Sequence, residues 1–348
     1  MSDYNLSCIY PTDKTGLAQV EALLQQENIT RDKNLDYTVG LFDEDYNLVA
    51  TGSCFKNTLR CFAVDHQHQG EGLLNQIISH LIEYEYGRGL LELFLYTKIQ
   101  SAKFFGDIGF YEIARVEDRL VFMENRRDGF QRYLANLVTT KQPGNKIGAV
   151  VMNANPFTLG HQFLLEQGAA ACDVLHVFVV SEEASPIPFK DRFALVKAGS
   201  AHLKNIVYHP TGSYIISSAT FPSYFLKDDK LVIESQARLD ILIFTKIAAA
   251  LGINCRFVGE EPFSEVTSIY NTIMAKELQG QGLTCQILPR KEAQGAPISA
   301  SKVRQALKDG DDDLFKATVP LSTYSFFHSP AGQLIVEKLK KLKDVKHY

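Results

Sequence analysis

The stretch "VVMNANPFTLGHQFLLEQ", residues 150–167, joins a hydrophobic run to a helix through two asparagines, a proline and a Thr-Leu-Gly-His sequence. A strand rich in β-branched residues that hands over at once to a helix puts the junction at the carboxyl edge of a parallel sheet. Open α/β folds bind ligands there. The helix N-terminus offers unpaired N–H groups and partial positive charge to an anion. Gly160 lets backbone and ligand approach closely, Thr158 adds a hydroxyl, and His161 adds a donor that carries charge when protonated. Spacing alone reads equally as a threonine helix cap followed by an exposed histidine.

The surrounding chain supports the parallel sheet. From Lys146 onward strands alternate with helices, "IGAVVM", "DVLHVFVV", "NIVYH", "NCRFVG" and "LTCQILP" being the strands. That rhythm implies βαβ units. A second hydroxyl-rich helix start stands far downstream in "PISASKVRQALKDG", residues 297–310. Ser299 is placed to cap it, with Ser301 and Arg304 near the first turn on one face. Arginine holds phosphate oxygens bidentately, so two such helix starts on one sheet form a polyphosphate clamp.

The two motifs resemble the T/H-x-G-H and I-S-x-S/T-x-x-R signatures of the HIGH-type nucleotidyltransferase superfamily. The resemblance implies a Rossmann-like sheet and attack on the α-phosphorus of a nucleoside triphosphate. It implies catalytic roles for His161, Arg304 and Thr158, with His161 stabilising phosphate charge and Arg304 holding pyrophosphate. Nucleotide contacts would come from Asn153, Asn155, Phe157, Thr158, Gly160, His161, Gly259, Ser299, Ser301 and Arg304. No Walker-type G-x-x-x-x-G-K-[ST] loop occurs. Weaker candidates are Glu260 beside Gly259, Lys190 and Arg192 at a helix start, and Lys227 in a hydroxyl- and aromatic-rich segment. Each reads equally as ordinary loop or helix surface.

The first third has a different rhythm. "YTVGLF", "LVATGSCF" and "LRCFAV" read as three meander strands, and "VDHQHQGEGLL" follows. It fits Q-x-x-G-x-G through Gln67, Gly70 and Gly72, whose backbone N–H groups can cradle a pyrophosphate. With "FFGDIGFYEI" downstream, this resembles the GNAT acetyltransferase fold over residues 1–125. The resemblance implies a site for a pantetheine-bearing or coenzyme A-like group. Many GNAT enzymes carry a tyrosine acid where Phe105 stands, and phenylalanine has no proton to donate. That favours binding over acetyl transfer.

Residues 126–145 are polar, end in Pro143-Gly144 and read as a linker to a second domain, 146–348. The fold class expected is α/β, an N-terminal GNAT-like α+β domain followed by a Rossmann-like parallel-sheet nucleotidyltransferase domain. A net charge of −4 over 348 residues gives no electrostatic case for nucleic acid or an anionic membrane. The lysine-rich "EKLKKLKDVKH" reads as a solvated helix face. Six scattered cysteines form neither C-x-x-C pairs nor metal spacings. No signal pattern or membrane-length apolar run is seen, which makes the cytoplasm the expectation.

Across the whole chain the order of these parts resembles the citrate lyase ligase family. The resemblance implies that acetate attacks ATP to give acetyl-AMP and pyrophosphate. The thiol of the dephospho-coenzyme A-derived group on the citrate lyase acyl carrier subunit then takes the acetyl group, releasing AMP. Mg²⁺ would arrive with ATP. A nucleotidyltransferase making a dinucleotide or CDP-alcohol, and a GNAT acetyltransferase, remain open on the motifs alone.

Overall fold

The computed structural model describes residues 4–215, 221–222, 224–226, 229–260, 265–293 and 295–342. Lys227 lies outside the described residues, as does the end of the lysine-rich tail. The chain forms two compact units, one of Met1–Arg132 with Pro222–Ser235, the other of Tyr133–Phe221 with Gln236–Tyr348. Among the described residues no helix is long and apolar enough to cross a membrane.

In the first unit β1 (Asn5–Cys8), β2 (Tyr37–Phe42), β3 (Leu48–Phe55) and β4 (Thr58–Val64) form an antiparallel meander. β5 (Phe94–Thr97) pairs parallel to β4, and β6 (Tyr111–Val116) and β7 (Leu120–Glu124) close the sheet in the order β1-β2-β3-β4-β5-β7-β6. Two long helices, α1 (Lys14–Gln26) and α2 (Leu73–Gly87), and the short α3 (Ala102–Asp107) complete the unit. One parallel step inside an antiparallel sheet, with α2 as its crossover, is the acetyltransferase-like α+β arrangement the motifs imply. Leu73, Ile77, Ile78 and Leu81 of α2 bury their apolar face in a core with Val39, Leu59 and Phe105. β1 and α1 are additions to the sequence reading.

The polar stretch before the second unit contains a helix, α4 (Gly129–Val138). Phe130 and Leu137 recur at helical spacing and are buried, a short amphipathic stripe masked by the surrounding charge.

The second unit is a parallel sheet. β8 (Ile147–Met152), β9 (Val174–Val179), β10 (Ile206–Pro210), β11 (Cys255–Gly259) and β12 (Thr284–Leu288) lie in the order β10-β9-β8-β11-β12, all parallel. The helices α5 (Leu159–Ala170), α6 (Phe189–Gly199), α7 (Asp229–Leu251) and α8 (Glu265–Gly280) alternate with the strands. A small ladder of β13 (Glu292–Ala293) and β14 (Ala296–Pro297) leads to α9 (Ala300–Asp309), α10 (Asp312–Thr318), α11 (Leu321–Phe327) and α12 (Pro330–Lys341). Val150, Val177 and Phe257 share one core with Val303, Phe315 and Leu339 of the C-terminal helices. Strand order reverses at β8, so a crevice opens beyond the carboxyl ends of β8 and β11.

Candidate active site

The loop after β8 runs straight into that crevice. Thr158 caps α5, its hydroxyl accepting from the His161 N–H at 3.3 Å. The Thr158 N–H in turn donates to His161 Nδ1 at 3.1 Å, with the Thr158 hydroxyl 2.9 Å from the same nitrogen. This is a capping box with histidine in the place usually taken by glutamate. Because Nδ1 accepts from a backbone N–H, the neutral ring carries its proton on Nε2. Burial, then the nearby Arg290 guanidinium, pushes the imidazole down to about 4. His161 is therefore a neutral Nε2–H donor at pH 7, and not the charged one its residue type allows.

The helix cap and the phosphate-donor readings thus coexist in one residue pair. The cap orients the ring, and the orientation leaves Nε2–H as the outward group. Phe157 lies parallel to the ring, with centroids 5.8 Å apart. It is fully buried, so it supports His161 and does not line the crevice. Its carbonyl accepts from the Thr323 hydroxyl at 3.0 Å.

The second motif meets the first. Ser299 caps α9 by accepting from the Lys302 N–H, and its hydroxyl stands 3.1 Å from that of Ser301. Arg304 is buried and donates from Nη1 to the Asn155 carbonyl at 2.5 Å. A Cβ at Gly160 would lie 3.6 Å from the Ile298 carbonyl and 3.7 Å from its Cβ, which brings the first turn of α5 beside the residue preceding Ser299. Two helix N-termini therefore converge beside the end of β8. The buried Asn155 side chain has no partner for either amide atom among the described residues, an exception among buried polar groups.

Asn153 is held from outside the crevice. Arg192 Nη1 donates to its carbonyl at 2.6 Å and to its Oδ1 at 2.8 Å. The same fully buried guanidinium donates to the carbonyls of Ile187, Val180 and Glu182. The cation expected at the start of α6 is thus spent on the loops after β8 and β9, while Lys190 beside it is exposed. Ala154 adopts φ 51° within this loop, a left-handed conformation that costs a non-glycine residue on the order of 1–3 kcal/mol.

Gly259 ends β11 beside β8, with open space where a Cβ would project. Its carbonyl accepts from Asn271 at 3.1 Å. The Glu260 backbone is paired on both sides, its N–H donating to the Leu288 carbonyl and its own carbonyl accepting from Arg290 Nε at 2.7 Å. Sequence reasoning missed Arg290. The signal was its position just past β12, where any parallel sheet points its loops at the ligand edge. Arg290 Nη1 also lies 3.4 Å from the Ile298 carbonyl, which sets a cation beside both motifs.

In the first unit Gly70 and Gly72 have φ of 89° and 77°. A Cβ at either would meet nothing, and Gly72 opens α2 without a side-chain cap. The N–H groups of that turn are left for another acceptor. Gln67 stands in the 3-10 turn before them, its N–H donating to Asp65. Phe105 is buried in the core, away from any proton-transfer role.

Residues 147–327 match the family described as citrate lyase ligase C-terminal domain. The chain is 40% identical to the citrate (pro-3S)-lyase ligase of Klebsiella pneumoniae over 319 residues, 90% of this chain and 93% of that one. It is 36% identical to the enzyme of the same name from Escherichia coli (strain K12), over 90% of each chain. Among solved structures it is similar to the ribosomal-protein-S18-alanine N-acetyltransferase of Escherichia coli, at 19% identity over 35% of this chain and 92% of that chain, with a TM-score of 0.28. The fold of the first unit rests on its own strand order.

Proposed function

This chain belongs to the citrate lyase ligase family, an enzyme family, and from that membership we propose an ATP-dependent acetylation of the thiol on the citrate lyase acyl carrier subunit. The observation that carries the nucleotide half is the convergence of the α5 and α9 N-termini through Gly160 and Ile298 and through Arg304 and Asn155. Such a pair of helix starts favours a polyphosphate.

In this reading an acetate oxygen attacks the α-phosphorus of ATP, the Pα–O bond to the β-phosphate breaks, and pyrophosphate leaves. The thiol sulfur then attacks the acetyl carbon, the C–O bond to AMP breaks, and the thiol proton passes to solvent. Displacement at phosphorus needs positioning and charge stabilisation more than covalent help. His161 Nε2–H donates to a phosphate oxygen as negative charge develops, without having to lose or gain a proton. Arg290 and the α9 hydroxyls Ser299 and Ser301 receive the departing pyrophosphate. Arg304 holds the Asn155 loop in the geometry that presents the α5 N–H groups. Mg²⁺ carried with ATP would neutralise part of the triphosphate charge, held chiefly by phosphate oxygens and water.

The uncapped turn at Gly70 and Gly72 supports a role for the first unit in holding the pantetheine-bearing group. The deciding experiment incubates the enzyme with ATP and acetate, with and without thiol-bearing carrier, and follows the nucleotide. Carrier-dependent AMP with acetylated carrier is expected. Pyrophosphate with the nucleotide retained in a stable product would replace this reading with nucleotidyl transfer.

A further inference from the structure

Two arginines anchor the loop after β8 on its two sides. Arg304 of α9 holds the Asn155 carbonyl, whereas Arg192 of α6 holds Asn153. Ala154, with φ 51°, stands between them. β8 itself has β9 on one side and β11 on the other. The other bonds of Arg192 go to the carbonyls of Val180 and Glu182, just past β9, and of Ile187, just before α6. Asn153 is therefore anchored on the β9 side. Arg290 holds the Glu260 carbonyl, just past β11, and lies against Ile298 before α9. The groups assigned to pyrophosphate thus stand on the β11 side.

The Arg192 contact decides which end of the Asn153 amide is spent. A guanidinium only donates, so the amide atom it meets at 2.8 Å is the oxygen, Oδ1. Nη1 also takes the carbonyl of the same residue at 2.6 Å, which locks the side chain against its own backbone. Nδ2 is left with no protein partner among the described residues, on a residue that is only partly buried. Arg192 likewise occupies the Val180 and Glu182 carbonyls, acceptors that a strand end would otherwise show to an anion. What remains at this edge is a donor.

In-line displacement puts the attacking and leaving oxygens on opposite sides of the phosphorus. With pyrophosphate on the β11 side, the attacking group comes from the β9 side, where Asn153 is anchored. A neutral amide suits that task. It orients a carboxylate oxygen by hydrogen bonding, without the full cation that would draw electron density from the nucleophile. We propose that Arg192 is a positioning residue for the acceptor: by holding Asn153 Oδ1 it presents Nδ2 to one oxygen of the acceptor carboxylate, while the other oxygen attacks the α-phosphorus. No proton moves in this contact. The identity of the acceptor rests on the function proposed above.

The test measures acetate binding by saturation-transfer NMR, on the full-length chain saturated with α,β-methylene-ATP, from which pyrophosphate cannot leave. Asn153→Ala removes the donor and the Arg192 partner together, so it should unfold at a lower temperature. It should bind acetate roughly 10- to 100-fold more weakly and the nucleotide analogue within about twofold of wild type. Asn153→Asp returns an oxygen to Arg192 but no N–H. Its unfolding temperature should recover to the wild-type value or above, while acetate binding stays weak. Arg192→Lys cannot hold the same set of acceptors, and it should weaken acetate binding as well. If that variant does not fold, the alanine and aspartate variants still decide. Wild-type acetate affinity in either Asn153 variant, an equal loss of analogue affinity in Asn153→Ala, or no acetate binding by the wild-type chain overturns the proposal. None of these readouts uses turnover. A chain that forms AMP with acetate, yet binds acetate normally as Asn153→Asp, loses only this assignment. One that shows the expected losses but forms no AMP loses only the function.

Discussion

Arg304 Nη1 donates to the carbonyl of Asn155, 149 positions earlier in the chain, at 2.5 Å. That bond ties the second motif to the loop of the first, and it comes from a buried planar guanidinium that lysine does not have. Arg304→Lys keeps the charge but cannot reproduce a planar fork at a buried site. It should cost about 1–3 kcal/mol of stability and lower kcat by roughly 100-fold. Thermal unfolding and acetate-dependent AMP release measure the two effects. Wild-type turnover in a folded variant removes Arg304 from the site.

Gly160 needs neither a left-handed φ nor empty space against its own protein, since a Cβ there would make only ordinary contacts. Alanine suits a helix better than glycine by roughly 0.5–1 kcal/mol. Gly160→Ala should therefore melt at or slightly above the wild-type temperature. Its KM for ATP should nevertheless rise at least about tenfold if phosphate oxygens approach this turn, a cost near 1.4 kcal/mol. An unchanged KM would show that the glycine serves no ligand.

Gly199 is a contrasting case. A Cβ there would lie 2.4 Å from Phe157 Cε1, and Phe157 is enclosed on all sides. Gly199→Ala should cost about 1–3 kcal/mol by overpacking, and it should lower kcat more than KM by pushing the ring on which His161 rests. Loss of stability with intact kcat would show that the stacking does not position His161.

His161→Ala removes one arm of the capping box, worth about 1 kcal/mol. The fold should survive, whereas pyrophosphate release should fall roughly 100- to 1,000-fold. Comparable unfolding with unchanged turnover would falsify its assignment.

Acid should unfold the protein early. His161, His176 and His209 are all held down to about 4, each chiefly by burial, with the charge of His176 adding to the effect on His209. The last two stand Nδ1 to Nε2 at 2.8 Å inside the second unit. Below an ordinary pKa of about 6.5 the unfolded chain binds protons that these folded imidazoles refuse. Stability is therefore complete above that value and is lost as pH falls toward 4, at up to about 1.4 kcal/mol per pH unit for each group. Imidazole proton shifts should show three of the nine histidines still neutral at pH 5. Ordinary titration near 6.5 by all nine sinks this prediction.

Much of the fold was legible because its signals are local. β-Branched runs, helical spacing and the Thr158 and Ser299 caps act within a few residues, so strands, helices and both motifs could be read from neighbours. α4 was missed because its apolar stripe is only a few residues deep in a charged stretch. Sequence left two readings of Arg192 open, because its position at a helix start says nothing about the four carbonyl groups and one amide oxygen that surround it.

The sequence by itself determined the two architectures, the parallel sheet with its junction at Thr158, and the residue types available for phosphate. Tertiary structure alone decided what those residues are. Burial and a backbone donor make His161 a neutral Nε2–H donor. Strand order sets Arg290 beside it, and chain return puts the Tyr224 hydroxyl against the Tyr96 carbonyl of β5. Protonation state and partner choice depend on which distant segments exclude water from a group. That is a property of packing, on which the periodicity of any one segment is silent.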